Sequence, residues 1–95
     1  MTRRAYIMQF DKTTSGGQVL DGDPDMRADG RHFSYLGARV SCPTCRTEGY
    51  IAPQGPRPDD RISARRPALD GDLCHCRCDP KPRVLASQDD MAVWT

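Results

Sequence analysis

Apolar residues occur in short runs separated by polar turns. Residues 33–41 alternate in part, with Phe33 and Tyr35 on one face and Ser34 and Leu36 on the other. Clusters of Gly, Pro and Asp end the runs in the manner of tight turns. No stretch shows two turns of apolar helical periodicity. The pattern predicts an all-β protein with long turns and little or no helix, whose strands are expected at residues 5–10, 18–20, 33–41, 50–52, 73–78 and 83–87.

The two halves of the chain resemble each other. Aligning them places Val19 on Ile51 and Cys42 on Cys74. Each unit then contains a strand, a Gly/Pro turn, a second strand and a cysteine cluster. Two such short units cannot each bury a core, so we expect them to pack on each other or on a partner. The alternative is chance similarity between turn-rich segments.

The size of the chain limits its architecture. It has 95 residues, of which 37% are hydrophobic and 6% aromatic, with 8 Gly and 8 Pro. This composition predicts a single domain over residues 1–95 with no extension domain. Too little chain remains to wall a large catalytic cleft, and no motif combines a nucleophile, a base and an oxyanion site. We therefore expect a protein that is not an enzyme.

The charge balance argues against two classes of partner. The chain has 14 basic and 13 acidic residues and a net charge of +1. Binding to nucleic acid through phosphate neutralisation, or to a membrane through a polybasic patch, needs a clear basic excess. No apolar run has the length of a membrane span, and the N-terminus does not read as a signal peptide. We expect a protein made in the cytoplasm that stays there or leaves without a cleavable signal.

The five cysteines form two clusters. Cys42 and Cys45 have the two-residue spacing that lets two thiolates reach one tetrahedral ion. Cys74, Cys76 and Cys78 alternate, so an extended strand would place all three on one face and His75 on the other. Buried small side chains or a disulfide are the alternatives. The spacing favours a structural zinc site, which would add folding free energy to a small core.

Four segments, in order, resemble motifs of PAAR-domain proteins. Their typical sequences are G-D-x-T-S-H-G-G-x-V, V-G-D-x-V-x-C-P-x-C, G-x-x-C-A-C-G-C and L-I-A-S. The corresponding segments here are residues 11–19 (DKTTSGGQV), 36–45 (LGARVSCPTC), 69–78 (LDGDLCHCRC) and 84–87 (VLAS).

The resemblance implies a small pointed β-structure of repeated β-units. Such a protein caps and sharpens the trimeric VgrG spike of the type VI secretion system, and it helps to deliver toxin effectors, which it binds directly or through their adaptors. It would be cytoplasmic before firing and then reach the target cell or medium without a signal peptide. A zinc ion near the point would stiffen it, and neither nucleic acid nor a stable membrane anchor is expected.

The metal ligands carried over from the resemblance are thiols. They are Cys42, Cys45, Cys74 and Cys76, with His75 and Cys78 in reserve. The chain departs from the family pattern at Ser15, where the family has a His that is a metal-ligand candidate, and at Phe10, where it has a Gly. Departures of this kind shift the site toward thiolates or remove it.

Two other functions remain open on the sequence. The first is a zinc-ribbon-like module that binds nucleic acid or protein, although ribbons usually place the second C-x₂-C sooner than Cys74 follows Cys45. The second is a small redox or metal-transfer protein that uses exposed thiolates. A thioredoxin-like role for Cys42 and Cys45 is disfavoured because a strand, not a helix, is predicted after them.

Overall fold

The computed structural model describes residues 3–28, 30–55, 66–78, 80–88 and 90–94. These ranges contain ten short β-strands and no helix, which confirms the prediction of an all-β protein. The strands are β1 Arg3–Ala5, β2 Lys12–Thr13, β3 Gln18–Val19, β4 Arg27–Ala28, β5 Arg31–His32, β6 Arg39–Cys42, β7 Thr47–Ala52, β8 Leu73–His75, β9 Val84–Leu85 and β10 Ala92–Trp94. Across the described ranges, no helix is both long and apolar enough to cross a bilayer.

Six strands form an antiparallel sheet that nearly closes on itself. Its order is β8-β7-β6-β3-β2-β9, and a bridge between Leu73 and Arg83 brings its two edges together. Two further pairs, β1 with β10 and β4 with β5, form separate two-stranded sheets. Closure matters because the free edges of a short sheet would otherwise be open to association with other chains.

The sheet is built from three equivalent units. In each unit the chain runs out along one strand and returns along a second, and the returning strand pairs with the outgoing strand of another unit. The equivalent pairs are Val19–Val40, Ile51–Cys74 and Val84–Thr13. We call the turns that join the outgoing and returning strands the apical turns.

This register corrects the predicted repeat. There are three units rather than two, and the correspondence of Val19 with Ile51 is confirmed. The correspondence of Cys42 with Cys74 is wrong, because Cys74 lies opposite Ile51 as Val40 lies opposite Val19. Cys42 therefore corresponds to Cys76, two residues further along the chain.

Three backbone segments close a ring at the end opposite the apical turns. The amide of Ile7 donates to the carbonyl of Ala68 (3.0 Å), Ala68 to Ser34 (3.2 Å) and Ser34 to Ile7 (2.8 Å). Bridges on either side repeat the same cyclic order: Tyr6–Leu69, Met8–Phe33 and Tyr35–Pro67. We call these nine residues the base ring. The arrangement has pseudo-threefold symmetry although the three segments differ in sequence.

Each segment of the base ring ends in the same kind of tight turn. The third residue of the turn has a positive φ in every unit: 73° at Phe10, 93° at Gly37 and 87° at Gly71. Glycine adopts this left-handed conformation freely, whereas Phe10 adopts it at a steric cost. The turns redirect the chain from the base ring into the outgoing strands.

Two of the turns are held by buried carboxylates. The Asp11 carboxylate accepts the Met8 amide (2.8 Å) and pairs with Arg31 (2.7 Å). The Asp72 carboxylate accepts the Leu69 amide (2.8 Å) and pairs with Arg4 (3.0 Å). The two amide contacts fix the turns themselves, whereas the two ion pairs join different units and so hold the ring together. The core above them is aliphatic and includes Ile7, Val19, Val40, Ile51 and Val84.

Candidate metal centre

Four thiols meet at the apical end of the sheet. The sulfur atoms of Cys42, Cys45, Cys76 and Cys78 all lie within 4.8 Å of one another. Cys42 Sγ is 3.5 Å from Cys76 Sγ and 3.5 Å from Cys78 Sγ. Cys42 ends β6 and Cys45 lies in the turn before β7, while Cys76 and Cys78 follow β8. Two apical turns that are distant in sequence thus contribute two thiols each.

The spacing of the sulfur atoms suits a tetrahedral ion. A metal–sulfur bond of about 2.3 Å in a tetrahedral zinc site gives a sulfur–sulfur distance of about 3.8 Å. The four sulfurs here need only small shifts to reach that geometry. Four thiolates form a donor set for a thiophilic ion such as Zn²⁺, and an ion bound there would join the second and third apical turns.

Hydrogen bonds within the cluster shift the thiol pKa values. Burial acts to raise the pKa of Cys42, but hydrogen bonds from Cys45, Ser15 and Cys78 outweigh it and bring it to about 6. The hydrogen bond with Cys42 is the main cause that raises the pKa of Cys78 to about 12, and burial raises the pKa of Cys76. In the metal-free cluster Cys42 therefore loses its proton more readily than Cys76 or Cys78, and an entering cation must displace the protons of those two thiols.

Cys74 lies in the core rather than in this cluster. Its side chain is 0% exposed, β8 pairs it with Ile51, and burial raises its pKa to about 12. The alternation that put Cys74, Cys76 and Cys78 on one face assumed a continuous strand. However, β8 ends at His75. Cys74 is the equivalent of Val40 in the core, whereas Cys76 and Cys78 lie beyond the strand, where Cys76 is the equivalent of Cys42.

Three of the four predicted ligands are brought together, and the reserve Cys78 lies with them. The other reserve, His75, is exposed on the side of the sheet. Its ring lies 5.3 Å from that of Tyr50, with Nδ1 3.5 Å from the Tyr50 hydroxyl. The geometry favours Cys78 over Cys74 as the fourth ligand, and the complete ligand set remains a prediction.

Ser15 also reaches the cluster. Its Oγ lies 3.7 Å from Cys42 Sγ. The register of the three units makes Ser15 the equivalent of Cys42 and Cys76, since each follows its base-ring residue at the same distance along the chain. Sequence reasoning treated Ser15 as a lost ligand. A three-unit alignment would have shown that it occupies the third equivalent position.

Comparison with protein-family models matches residues 10–80 to the PAAR motif. This chain belongs to the PAAR-motif family. The match covers about three quarters of the chain and includes all five cysteines. No curated protein and no solved structure matched.

PAAR-motif proteins are associated with the VgrG spike of the type VI secretion system. The PAAR match spans most of the three units but begins after Ile7 and ends before β9 and β10. Closure of the base ring therefore rests partly on residues outside the matched range. The family match favours the spike-tip hypothesis over the zinc-ribbon alternative.

Proposed function

We propose that this protein is the tip of a type VI secretion spike, seated by its base ring on the trimeric VgrG protein. Its role is structural rather than catalytic: it caps and sharpens the spike. A structural zinc ion held at the apical end stiffens the point. The protein assembles in the cytoplasm and leaves with the spike, carrying toxin effectors or their adaptors.

The observation that carries this proposal is the pseudo-threefold base ring. A trimer presents three identical surfaces around its axis. A single chain can contact all three in the same way only if it repeats its own backbone geometry three times. The cyclic hydrogen bonds of Ile7, Ser34 and Ala68 provide that repetition at one end of the molecule.

The base ring also has the side chains for an apolar contact. Tyr6 and Phe33 are half-buried and pack edge to face, with ring centroids 5.4 Å apart. Tyr35 and Pro67 are also half-buried. Partly exposed aromatic rings bury large apolar areas when a partner covers them, and they are frequent anchors of protein interfaces.

The apical thiols support a rigid point at the other end. Short strands with few residues give each unit little stability of its own, and an ion shared by two apical turns removes freedom from both. A point that must survive contact with a membrane benefits from this stiffness. The four-sulfur arrangement supports this part of the proposal.

The test is assembly with the VgrG trimer of the same genome. Size-exclusion chromatography with mass determination should show one chain bound per trimer. Phe33→Arg, in the base ring, should abolish the complex. Tyr50→Arg, on the side of the sheet, is the matched control and should bind like the parent, with thermal melting used to verify that both variants fold. Clean separation of the parent chain from the trimer at micromolar concentration would contradict the proposal.

A further inference from the structure

We propose that Ser15 is a positioning residue that couples the first apical turn to the metal centre by donating a hydrogen bond to the Cys42 thiolate. This inference rests on the metal centre proposed above. Ser15, Cys42 and Cys76 occupy equivalent positions in the three units, and the inference assigns a role to Ser15, which carries no thiol.

The geometry places Ser15 beside the ligand set rather than in it. Its hydroxyl is 3.7 Å from Cys42 Sγ, a hydrogen-bonding distance for sulfur. The four neighbouring thiols already complete a tetrahedral site. A neutral hydroxyl competes poorly with thiolates for a thiophilic ion. Ser15 therefore contacts a ligand instead of the ion.

The surrounding hydrogen bonds fix the direction of donation. Thr13 Oγ1 accepts the amides of Gly17 (2.9 Å) and Ser15 (3.3 Å), which use both of its lone pairs. Its own proton is then free for Ser15 Oγ, 3.1 Å away. With that oxygen accepting from Thr13, the Ser15 proton points to Cys42. A metal-bound thiolate has no proton to give, so Ser15 must be the donor.

This hydrogen bond would stabilise the excess negative charge of the metal centre. Four thiolates around a divalent ion leave a net charge of about −2 at the site. Donors to coordinating sulfur spread that charge and orient the ligand. In the first apical turn, the hydroxyl of Ser15 can supply such a donor, and Thr44 Oγ1 donates to the Ser15 carbonyl (3.1 Å) from the second turn.

The consequence is mechanical. The ion itself joins only the second and third apical turns, through Cys42 and Cys45 on one side and Cys76 and Cys78 on the other. The Ser15 hydroxyl links the first turn directly to a ligand sulfur, and the hydrogen bond from Thr44 to the Ser15 carbonyl links it to the second turn. Metal binding should therefore slow amide exchange in all three turns of the parent chain, and the slowing in the first turn should be much smaller when the hydroxyl is removed.

The experiment uses the full chain with Co²⁺ as a spectroscopic probe. We compare the parent with Ser15→Ala, with Ser15→Thr, which keeps the hydroxyl, and with Ser41→Ala as the control. Ser41 precedes Cys42, but its hydroxyl bonds to Gln18 and not to sulfur. Absorption spectra report the ligands, and amide hydrogen exchange is followed at residues 15–17 with and without the ion.

The expected results separate this inference from the metal centre itself. The parent, Ser15→Thr and Ser41→Ala should show a four-thiolate spectrum and exchange at residues 15–17 that the ion slows about tenfold or more, as a hydrogen bond to a charged group allows. Ser15→Ala should keep the four-thiolate intensity, move the sulfur-to-cobalt charge-transfer band to longer wavelength and lose most of the slowing.

Two outcomes would overturn the proposals in different ways. If the parent chain shows no four-thiolate spectrum, both the proposed metal centre and the proposed role of Ser15 are refuted. A parent with that spectrum and a Ser15→Ala variant with the same band position and the same metal-dependent exchange refute the coupling alone.

Discussion

Replacing Asp72 by Ala should destabilise the protein severely, because this carboxylate joins two units of the base ring from inside the core. Its side chain is 0% exposed. It accepts hydrogen bonds from the Leu69 amide (2.8 Å), the Gln54 amide (3.0 Å) and Arg4 (3.0 Å). Arg4 is itself only 8% exposed, so the substitution removes a carboxylate from beside a guanidinium that lies mostly away from water.

The size of the effect follows from these contacts. Breaking a buried ion pair by removing one partner costs about 3–5 kcal/mol. Each amide left without an acceptor costs about 1–3 kcal/mol, part of which is already in that figure. The total is a large share of the roughly 5–15 kcal/mol that holds a small domain together. At about 4–8 °C per kcal/mol, the melting temperature should fall by about 15 °C or more.

The assay is thermal unfolding followed by circular dichroism. The matched control is Asp21→Ala, which removes the same side chain from an ion pair with Arg39, a residue that is 61% exposed. Exposed pairs contribute little, so the control should melt within a few degrees of the parent. If the two variants melt at similar temperatures, the Asp72 carboxylate does not hold the base ring and the reasoning is refuted.

Three further results are expected. Cys78→Ser should weaken Co²⁺ binding at least tenfold and lose the four-thiolate spectrum, whereas Cys74→Ser should retain both; the reverse result would restore Cys74 as a ligand. The hydrogen bond from Arg39 lowers the pKa of Asp21, so this pair should stabilise the fold above about pH 4 and stop doing so as the pH falls through the lowered pKa. Carbon NMR titration should show the pKa of Asp21 returning to the usual range in Arg39→Gln. An unchanged pKa would exclude Arg39 as the cause of the shift. Phe10→Gly should raise the free energy of unfolding by up to about 1 kcal/mol, because the left-handed strain at φ 73° exceeds the entropy cost of glycine. Denaturant unfolding should then show a higher midpoint, and a lower midpoint would mean that the exposed ring makes stabilising contacts.

The strand class of the fold could be predicted, but its symmetry could not. Short apolar runs between Gly, Pro and Asp turns are sufficient to indicate β-structure. The base ring is invisible in the same sequence because its central residues are Ile7, Ser34 and Ala68, which share no side-chain chemistry. Their equivalence lies in backbone hydrogen bonds, which any of these residues can make.

The candidate site was predictable to the level of its clusters. The spacing of Cys42 and Cys45 indicated two ligands directly, because a two-residue gap fixes their geometry. The choice between Cys74 and Cys78 depended on the register of β8 against β7, which places Cys74 opposite Ile51 in the core. That long-range pairing cannot be read from the local sequence. The part played by Ser15 depended on a long-range register that no short motif contains.

The cyclic order of the base ring has a consequence for how the chain acquires its structure. The central amide of each unit donates to a carbonyl of another unit, so no unit can complete its backbone hydrogen bonds alone. The Ile7 amide has its acceptor only after Ala68 has been synthesised, and β2 pairs with Val84, which comes later still in the chain. Native pairings of such high sequence separation form slowly, since the entropy of closing long loops must be lost before the contacts form. A nascent chain emerging from the ribosome should therefore remain open until nearly all of it has been synthesised, and then fold in one cooperative step.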